Sequence, residues 1–383
     1  MNTSPFIYGT TVSYKSFTNR ENDSNKLKSN ILNGINTMII SPRRWGKSSL
    51  VEKVINDINV NEAEIKTVLI DLFTVNSEEE FLETFAKEVI KASSNKWEDW
   101  MKSGLDFFKQ LTPKLSVGLD PNTDFSLSFD WSELSKHKNE ILNLPQTIAS
   151  KKSVRFIICL DEFQNLASYP KFEAFEKSMR ANWQRQKNVT YCLFGSKRHM
   201  MSDIFNNPSK PFYKFGDIIF LQRITEEKWV SFILDSFTKT GKRISPENAL
   251  SISRLMKRHS WYVQQLSHYV WQQTANSVTK PKINTALAEL INANTPLYQM
   301  EIENMSVTQL NLLKAITHGV TQLTGTSSMQ KYRLGTPRNV SKNITSLLNN
   351  DIINKDNGGY HFLDPAFELW FKKQYLHIDY SLK

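Results

Sequence analysis

Ser41-Pro42-Arg43-Arg44-Trp45-Gly46-Lys47-Ser48-Ser49-Leu50 is the stretch from which the rest of the chain is read. An apolar run from Ile35 to Ile40, broken by Asn36 and Thr37, leads into it. Leu50, Val51, Val54, Ile55 and Ile58 follow at helical spacing. A strand, a tight turn and a helix N-terminus in that order gather backbone N–H groups around one anion, with the helix dipole behind them. In such a loop Lys47 offers a point charge to the outer phosphates, and the Ser48 hydroxyl is a magnesium ligand. The pattern G-x-x-x-x-G-K-[ST] is met at its end, while Ser41 stands at its first glycine. Serine reaches most of the backbone conformations needed at the loop entrance, whereas Gly46 sits where the chain passes closest to phosphate. Pro42 stiffens the entrance, and Arg43 and Arg44 add charge beside a nucleotide or a neighbouring subunit.

Val154-Arg155-Phe156-Ile157-Ile158-Cys159-Leu160-Asp161-Glu162 is a buried-strand run ending in two acids. In phosphoryl-transfer proteins with such a loop, this strand is expected beside the first one. Asp161 then holds magnesium, and Glu162 orients and deprotonates the attacking water. Acids at a strand end that merely cap the next helix are the alternative, and the loop upstream favours the catalytic reading.

The chain has 383 residues, enough for two or three domains, and its 40% hydrophobic and 22% charged content is that of a globular protein. No run of about 18 apolar residues occurs, which excludes a membrane-spanning helix. Met1 to Thr10 lacks the pattern of a secretory signal. Cys159 and Cys192 are the only cysteines, both in expected core strands, so a reduced, cytoplasmic protein without disulfides is expected. The net charge of +10 is densest between 241 and 300, where seven Lys or Arg, including Arg254, Lys257 and Arg258, face two Asp or Glu. That excess suits phosphate attraction or a solvated helix face.

Strands and helices alternate over the first 230 residues, which predicts a largely parallel sheet covered on both faces. After the loop, strands are expected at 66–73, up to Asp161, at Val189–Ser196 and at Ile218–Leu221. Ser77 and Glu80 have capping-box spacing for a helix running to about Lys91. Between the second and third strands lies an insert, about 93–150, with Trp97, Trp100, Phe107 and Phe108 at helical spacing. Leu115, Val117 and Leu119 then alternate with polar residues, as do Phe125, Leu127, Phe129 and Trp131, around Asp120-Pro121-Asn122-Thr123-Asp124. That is a hairpin with one apolar face, either packed on the core or offered to a protein effector.

Residues from about 225 to 300 read as helical, with Pro246 opening one helix and Trp261–Gln272 forming another. Helices at Gln309–Ile316, Ser327–Tyr332 and Pro337–Leu348, then Ile352-Ile353 and Tyr360-His361-Phe362 around Asn357-Gly358-Gly359, make a winged helix-turn-helix pattern. Its third helix buries Val340, Ile344, Leu347 and Leu348 and could present Arg338, Asn339, Lys342 and Asn343 to DNA. Winged helices of this kind also dock proteins.

With these motifs assembled, the chain resembles the archaeal-type ATPase family of the STAND/AAA+ branch of P-loop proteins, over nearly its whole length. Phe17-Thr18-Asn19-Arg20-Glu21 resembles the family's F-x-G-R-E segment near the adenine, with Asn19 for glycine. Pro42 to Leu50 is similar to the loop P-R-R-x-G-K-[ST]-S-L, and Leu160-Asp161-Glu162-Phe163-Gln164 to the acidic strand end. Phe194-Gly195-Ser196 resembles the strand that bears a polar sensor, Pro211-Phe212-Tyr213 a P-L-Y-G-R segment, and Asp364-Pro365-Ala366-Phe367 with Trp370-Phe371 the family's terminal stretch. Where P-L-Y-G-R has its arginine the chain has Phe215, with Lys214 one place earlier. Arg180, Arg185 and Arg198 are then candidates for an arginine acting on the γ-phosphate. His259-Ser260-Trp261-Tyr262 falls where the family often has Gly-x-Pro-Tyr.

The resemblance implies an α/β fold: a five-stranded parallel P-loop ATPase core with helices on both faces (1–228), a helical lid (229–300) and a winged helix-turn-helix domain (301–383). It implies ATP and Mg2+ as cofactors. Arg20, Pro42, Arg43, Arg44, Trp45, Gly46, Lys47, Ser48 and Ser49 bind nucleotide, and Ser48 and Asp161 hold the metal. Glu162, Lys47 and Ser196 act in catalysis. The function expected is a switch ATPase whose nucleotide state moves the lid and winged helix toward a protein or DNA partner, as a monomer or a homo-oligomer. A non-catalytic, nucleotide-binding DNA regulator or scaffold is the rival.

Overall fold

A computed structural model describes residues 3–10, 20–93, 116–118, 126–128, 137–356, 358–379 and 382. The chain packs as two units: 20–43 with 47–222, and 1–19 with 44–46 and 223–383.

The first unit opens with α1 (Glu21–Leu32), β1 (Thr37–Ile40), α2 (Lys47–Asn61), β2 (Ile65–Asp71) and α3 (Glu78–Ala92). Two short strands follow, β3 (Ser116–Gly118) and β4 (Ser126–Ser128), then α4 (Lys138–Leu142), α5 (Leu144–Lys152), β5 (Arg155–Asp161) and α6 (Phe172–Trp183). It ends with β6 (Val189–Gly195), α7 (Arg198–Asn206) and β7 (Asp217–Phe220). The five long strands form one parallel sheet in the order β2-β5-β6-β1-β7. β1 and β6 are buried along their whole length and β5 at all but its ends, which is why they read as mainly apolar runs. The edge strands β2 and β7 show mixed burial.

The order corrects one expectation. β6, not β5, lies beside β1 on that side, so Ser196 at the end of β6 comes between the phosphate loop and the strand-end acids. β2 also stops earlier than expected: Leu72–Thr74 turn off as a short 3-10 segment capped by the Asp71 side chain. Ser77 caps α3 as read from its spacing, accepting from Glu80 N at 3.1 Å. The Glu80 carboxylate reaches Asn76 N at 2.8 Å instead of closing the box on Ser77.

An aromatic cluster fills one face of the sheet. Trp183 stacks on Tyr191 with ring centroids 4.2 Å apart, and Phe85, Phe212 and Phe215 surround it. Cys159 and Cys192 are free, buried and directly paired in register. In the insert, β3 and β4 form the expected antiparallel hairpin with Val117 opposite Leu127. Trp97, Trp100, Phe107, Phe108, Leu115, Leu119, Asp120–Asp124, Phe125, Phe129 and Trp131 lie outside the described residues, as do Phe17, Thr18 and Asn19 of the N-terminal motif.

The second unit is helical, with α8 (Glu226–Lys239), α9 (Pro246–Leu255), α10 (Ser260–Gln272), α11 (Lys280–Glu303), α12 (Val307–Thr317), α13 (Thr326–Tyr332) and α14 (Pro337–Asn349). The wing is β8 (Ile353–Asp356) paired antiparallel with β9 (Gly359–Phe362), and α15 (Pro365–Leu376) follows. Ser245, Ser306 and Thr336 cap α9, α12 and α14, and Ser306 with Gln309 forms a complete capping box. One hydrophobic cluster runs from Phe237, Ile252 and Leu266 through Leu290 and Tyr298 to Leu313, Val340 and Phe371. The helical region and the winged helix thus share a core, and α11 crosses the expected boundary at 300 without a break.

Candidate functional site

β1 delivers the chain into a tight turn and α2 begins at Lys47. Gly46 takes φ +89°, a region costly for any residue with a side chain, and Arg44 takes φ +63°. Lys47 is 8% exposed, which holds its amine over the strand ends instead of in bulk water. Its Nζ lies 2.8 Å from Glu162 Oε1 and 3.3 Å from Asp161 Oδ1. Ser48 Oγ donates to Asp161 Oδ2 at 2.7 Å.

Asp161 ends β5, and the next residue turns sharply: Glu162 has φ +51°, with its N–H donating back to Asp161 Oδ1 at 2.7 Å. That bend aims the Glu162 side chain at Lys47. Glu162 Oε2 also accepts from Ser196 Oγ at 2.8 Å and from the Gln164 side-chain amide. Arg43 Nε reaches Ser196 Oγ at 3.4 Å. The two acids differ electrostatically. Burial pushes the Asp161 carboxyl above its ordinary range against the pull of Lys47 and Ser48. Burial also opposes the Glu162 charge, but Lys47, Gln164 and Ser196 outweigh it and hold that carboxyl below the usual range.

Lys47, Ser48, Asp161, Glu162 and Ser196 are thus brought together as their motifs suggested. Ser48 and Asp161 present hard oxygen donors suited to Mg2+, which takes one or two protein ligands and completes its shell with phosphate and water. Among the described residues no group of three or more His, Cys, Asp or Glu could hold a metal ion. Ser41 and Pro42 are buried at the loop entrance, and Ser49 faces the core. Arg20 is 5% exposed and donates to Asp23 and to the Gln222 carbonyl at 2.8 Å.

Arg44, Trp45 and Gly46 count with the second unit. Arg44 lies 4.7 Å over the Trp261 ring and 3.5 Å from Tyr262 Oη. The Tyr262 hydroxyl donates to Asp364, which also accepts from Tyr298 and caps α15 through Ala366 N and Phe367 N at 2.8 and 2.9 Å. His259 packs edge-on against Trp45 and Tyr262, and burial beside Arg223 and Arg44 lowers its pKa to about 3.

Other expectations fare unevenly. Phe215, at the family's arginine position, is buried in the aromatic cluster. Arg180 lies 4.9 Å over its ring and donates to the Pro211 carbonyl. Of the basic residues proposed to attract phosphate, Arg254 is paired with Glu226 at 2.9 Å and Lys257 with Glu368. On α14, Arg338, Asn339 and Lys342 are exposed, whereas Asn343 donates to its own helix at Asn339 O. Gln164 is the site residue that residue-by-residue reasoning missed. It was visible only as the last letter of the acidic motif.

A family model described as a probable winged helix domain matches residues 296–373. No curated protein matches the sequence. Among solved structures, the Walker-type ATPase PABY2304 of Pyrococcus abyssi is similar over 96% of this chain and 99% of its own, at 17% identity and a TM-score of 0.66. The ORC2 protein of Aeropyrum pernix, solved with ADPNP and ADP, is similar over 91% of this chain and 90% of its own, at 13% identity and a TM-score of 0.53. The fold is therefore that of the P-loop, Walker-type ATPases with a C-terminal winged helix. Among the described residues no helix is long and apolar enough to cross a membrane.

Proposed function

We propose, on the premise of a Walker-type ATPase fold joined to a winged helix, that this chain binds ATP with magnesium and hydrolyses it as a switch. One observation carries the reading: Lys47, Ser48, Asp161, Glu162 and Ser196, drawn from two strand ends and a helix start, meet within hydrogen-bonding distance. Lys47 exchanges its carboxylate partners for the outer phosphates, and the loop amides bind beside it. Ser48 and Asp161 hold the metal, which neutralises phosphate charge. Glu162, released by Lys47, orients and deprotonates water, and Ser196 reports the γ-phosphate to it. Arg20, Pro42, Arg43, Arg44, Trp45, Gly46 and Ser49 complete the nucleotide site.

The burial of Phe215 leaves the transition-state arginine to come from elsewhere. An arginine of that kind contributes about 10³-fold or more to the rate. A slow intrinsic turnover, raised by a second copy or a protein effector, follows. The exposed Arg338, Asn339 and Lys342 favour duplex DNA as the partner of α14. The same three residues support a second reading, a DNA-binding regulator with a structural nucleotide.

Magnesium-dependent ATP binding and turnover, measured with and without duplex DNA beside Lys47→Ala, separates them. Turnover lost in Lys47→Ala and in Glu162→Gln supports the switch ATPase. Tight nucleotide binding without turnover, with DNA binding retained, supports the regulator. Binding of ATP undiminished in Lys47→Ala refutes both.

A further inference from the structure

We propose that Gln164 is the positioning residue that aims the Glu162 carboxylate at its water, and that Gly195 is small in order to admit it. The proposal rests on the reading of Glu162 as the group that handles water. Glu162 sits at φ +51°, beyond the end of β5, so the strand's hydrogen bonds do not orient its side chain. Its two oxygens have different partners. Oε1 is held by Lys47 at 2.8 Å, while Oε2 is held by the Gln164 amide, by Ser196 Oγ at 2.8 Å and by Ser196 N at 3.4 Å. When Lys47 turns to phosphate, Oε1 is freed and Oε2 stays anchored. That leaves a carboxylate with one fixed oxygen and one oxygen free to accept a proton.

Gln164 is placed for this and poorly placed for anything else. It is 1% exposed, and its Oε1 has no hydrogen-bond partner among the described residues. A buried amide with one end unmet is less stable than an apolar side chain of the same size, so the satisfied end is the one with a task. The amide lies over Gly195. A Cβ there would fall 1.9 Å from Gln164 Oε1 and 2.9 Å from Met201 Sδ, closer than atoms approach. Gly195 and Ser196 are consecutive, so the end of β6 supplies both the space for one anchor of Glu162 and the hydroxyl of the other.

Gln164→Leu removes the donor and keeps the volume. Its kcat is expected to fall about 10- to 100-fold with KM for Mg-ATP within about threefold, the usual reach of a supporting hydrogen bond. Glu162→Gln combined with Gln164→Leu should be no slower than Glu162→Gln alone, because Gln164 acts only through Glu162. Losses that multiply, or a Gln164→Leu kcat within about twofold of wild type, overturn the proposal. Gly195→Ala displaces the same amide by another route and should reproduce the kcat loss if Gln164→Leu does not fold. A second readout needs no turnover. In chain labelled with 15N-glutamine, the side-chain signal that vanishes in Gln164→Leu should move in Glu162→Ala. A signal that stays put refutes the anchor even if the chain is inactive, whereas inactivity of the wild type refutes only the hydrolysis reading.

Discussion

Replacing Glu162 by glutamine should tighten nucleotide binding, because Glu162 competes with phosphate for Lys47. The contact to be broken is 2.8 Å long, between side chains only 10% and 17% exposed, so water and salt screen it weakly. A hydrogen bond between such charged partners contributes about 1.5–3 kcal/mol. The glutamine oxygen still accepts from Lys47, but as a neutral group it keeps about half of that. The difference is about 0.8–1.5 kcal/mol, which converts to roughly four- to twelvefold in affinity. The 3.3 Å contact of Lys47 with Asp161 is common to both proteins and cancels. Calorimetric titration with Mg-ADP is the suitable assay, since a product cannot be hydrolysed during the measurement. Equal or weaker binding in Glu162→Gln would show that Lys47 keeps its carboxylate partner when nucleotide arrives, and the competition argument would fail.

Glu176 is fully buried, neither of its carboxylate oxygens has a hydrogen-bond partner among the described residues, and burial raises its pKa to about 7. The folded chain therefore keeps a proton that the unfolded chain releases, and this group's contribution to stability falls as pH rises from about 4.5 to about 7, then levels. Glu176→Gln should gain up to about 3 kcal/mol at pH 8 and almost nothing at pH 4 in urea melts; equal gains at both would contradict the assignment. Asp364→Ala removes the cap of α15 and the acceptor of two buried tyrosines, and should cost about 2–4 kcal/mol of unfolding free energy in the same assay. Gly46→Ala adds a Cβ that meets nothing within 4 Å, so its expected loss of ADP affinity comes from a displaced backbone, with a change in Tm of only a few degrees. Arg338→Ala with Lys342→Ala should lower the salt slope of duplex binding by about 2; an unchanged slope would point α14 at a protein.

Much of the candidate site was legible because its signals are local. β5 and β6 are buried on both faces and show as apolar runs, and the loop announces itself through Gly46-Lys47-Ser48 followed by an amphipathic helix. The sheet order was not legible, since nothing in β5 or β6 alone says which of them adjoins β1. The left-handed turn at Glu162 has no sequence mark either, as most such turns are signalled by glycine or asparagine. Helices α1, α4, α5, α6, α7 and α15 drew no prediction. α6 pairs its buried Phe175, Met179 and Trp183 with a buried acid, Glu176, which blurs its apolar stripe. Phe215 could be read as a departure from a family pattern, but only packing shows it occupied in the core.

The family match opens at Pro296, in the middle of the 24-residue helix α11. Leu290 and Ile291 before that point and Tyr298 and Ile302 after it are buried in the same cluster. A fragment cut at residue 296 would begin halfway along a helix, with one half of that cluster exposed. Excising the winged helix alone would uncover side chains that Leu290 and Ile291 now help to bury. The matched segment is thus shorter than the compact unit that holds it, whose helices run on from Arg223.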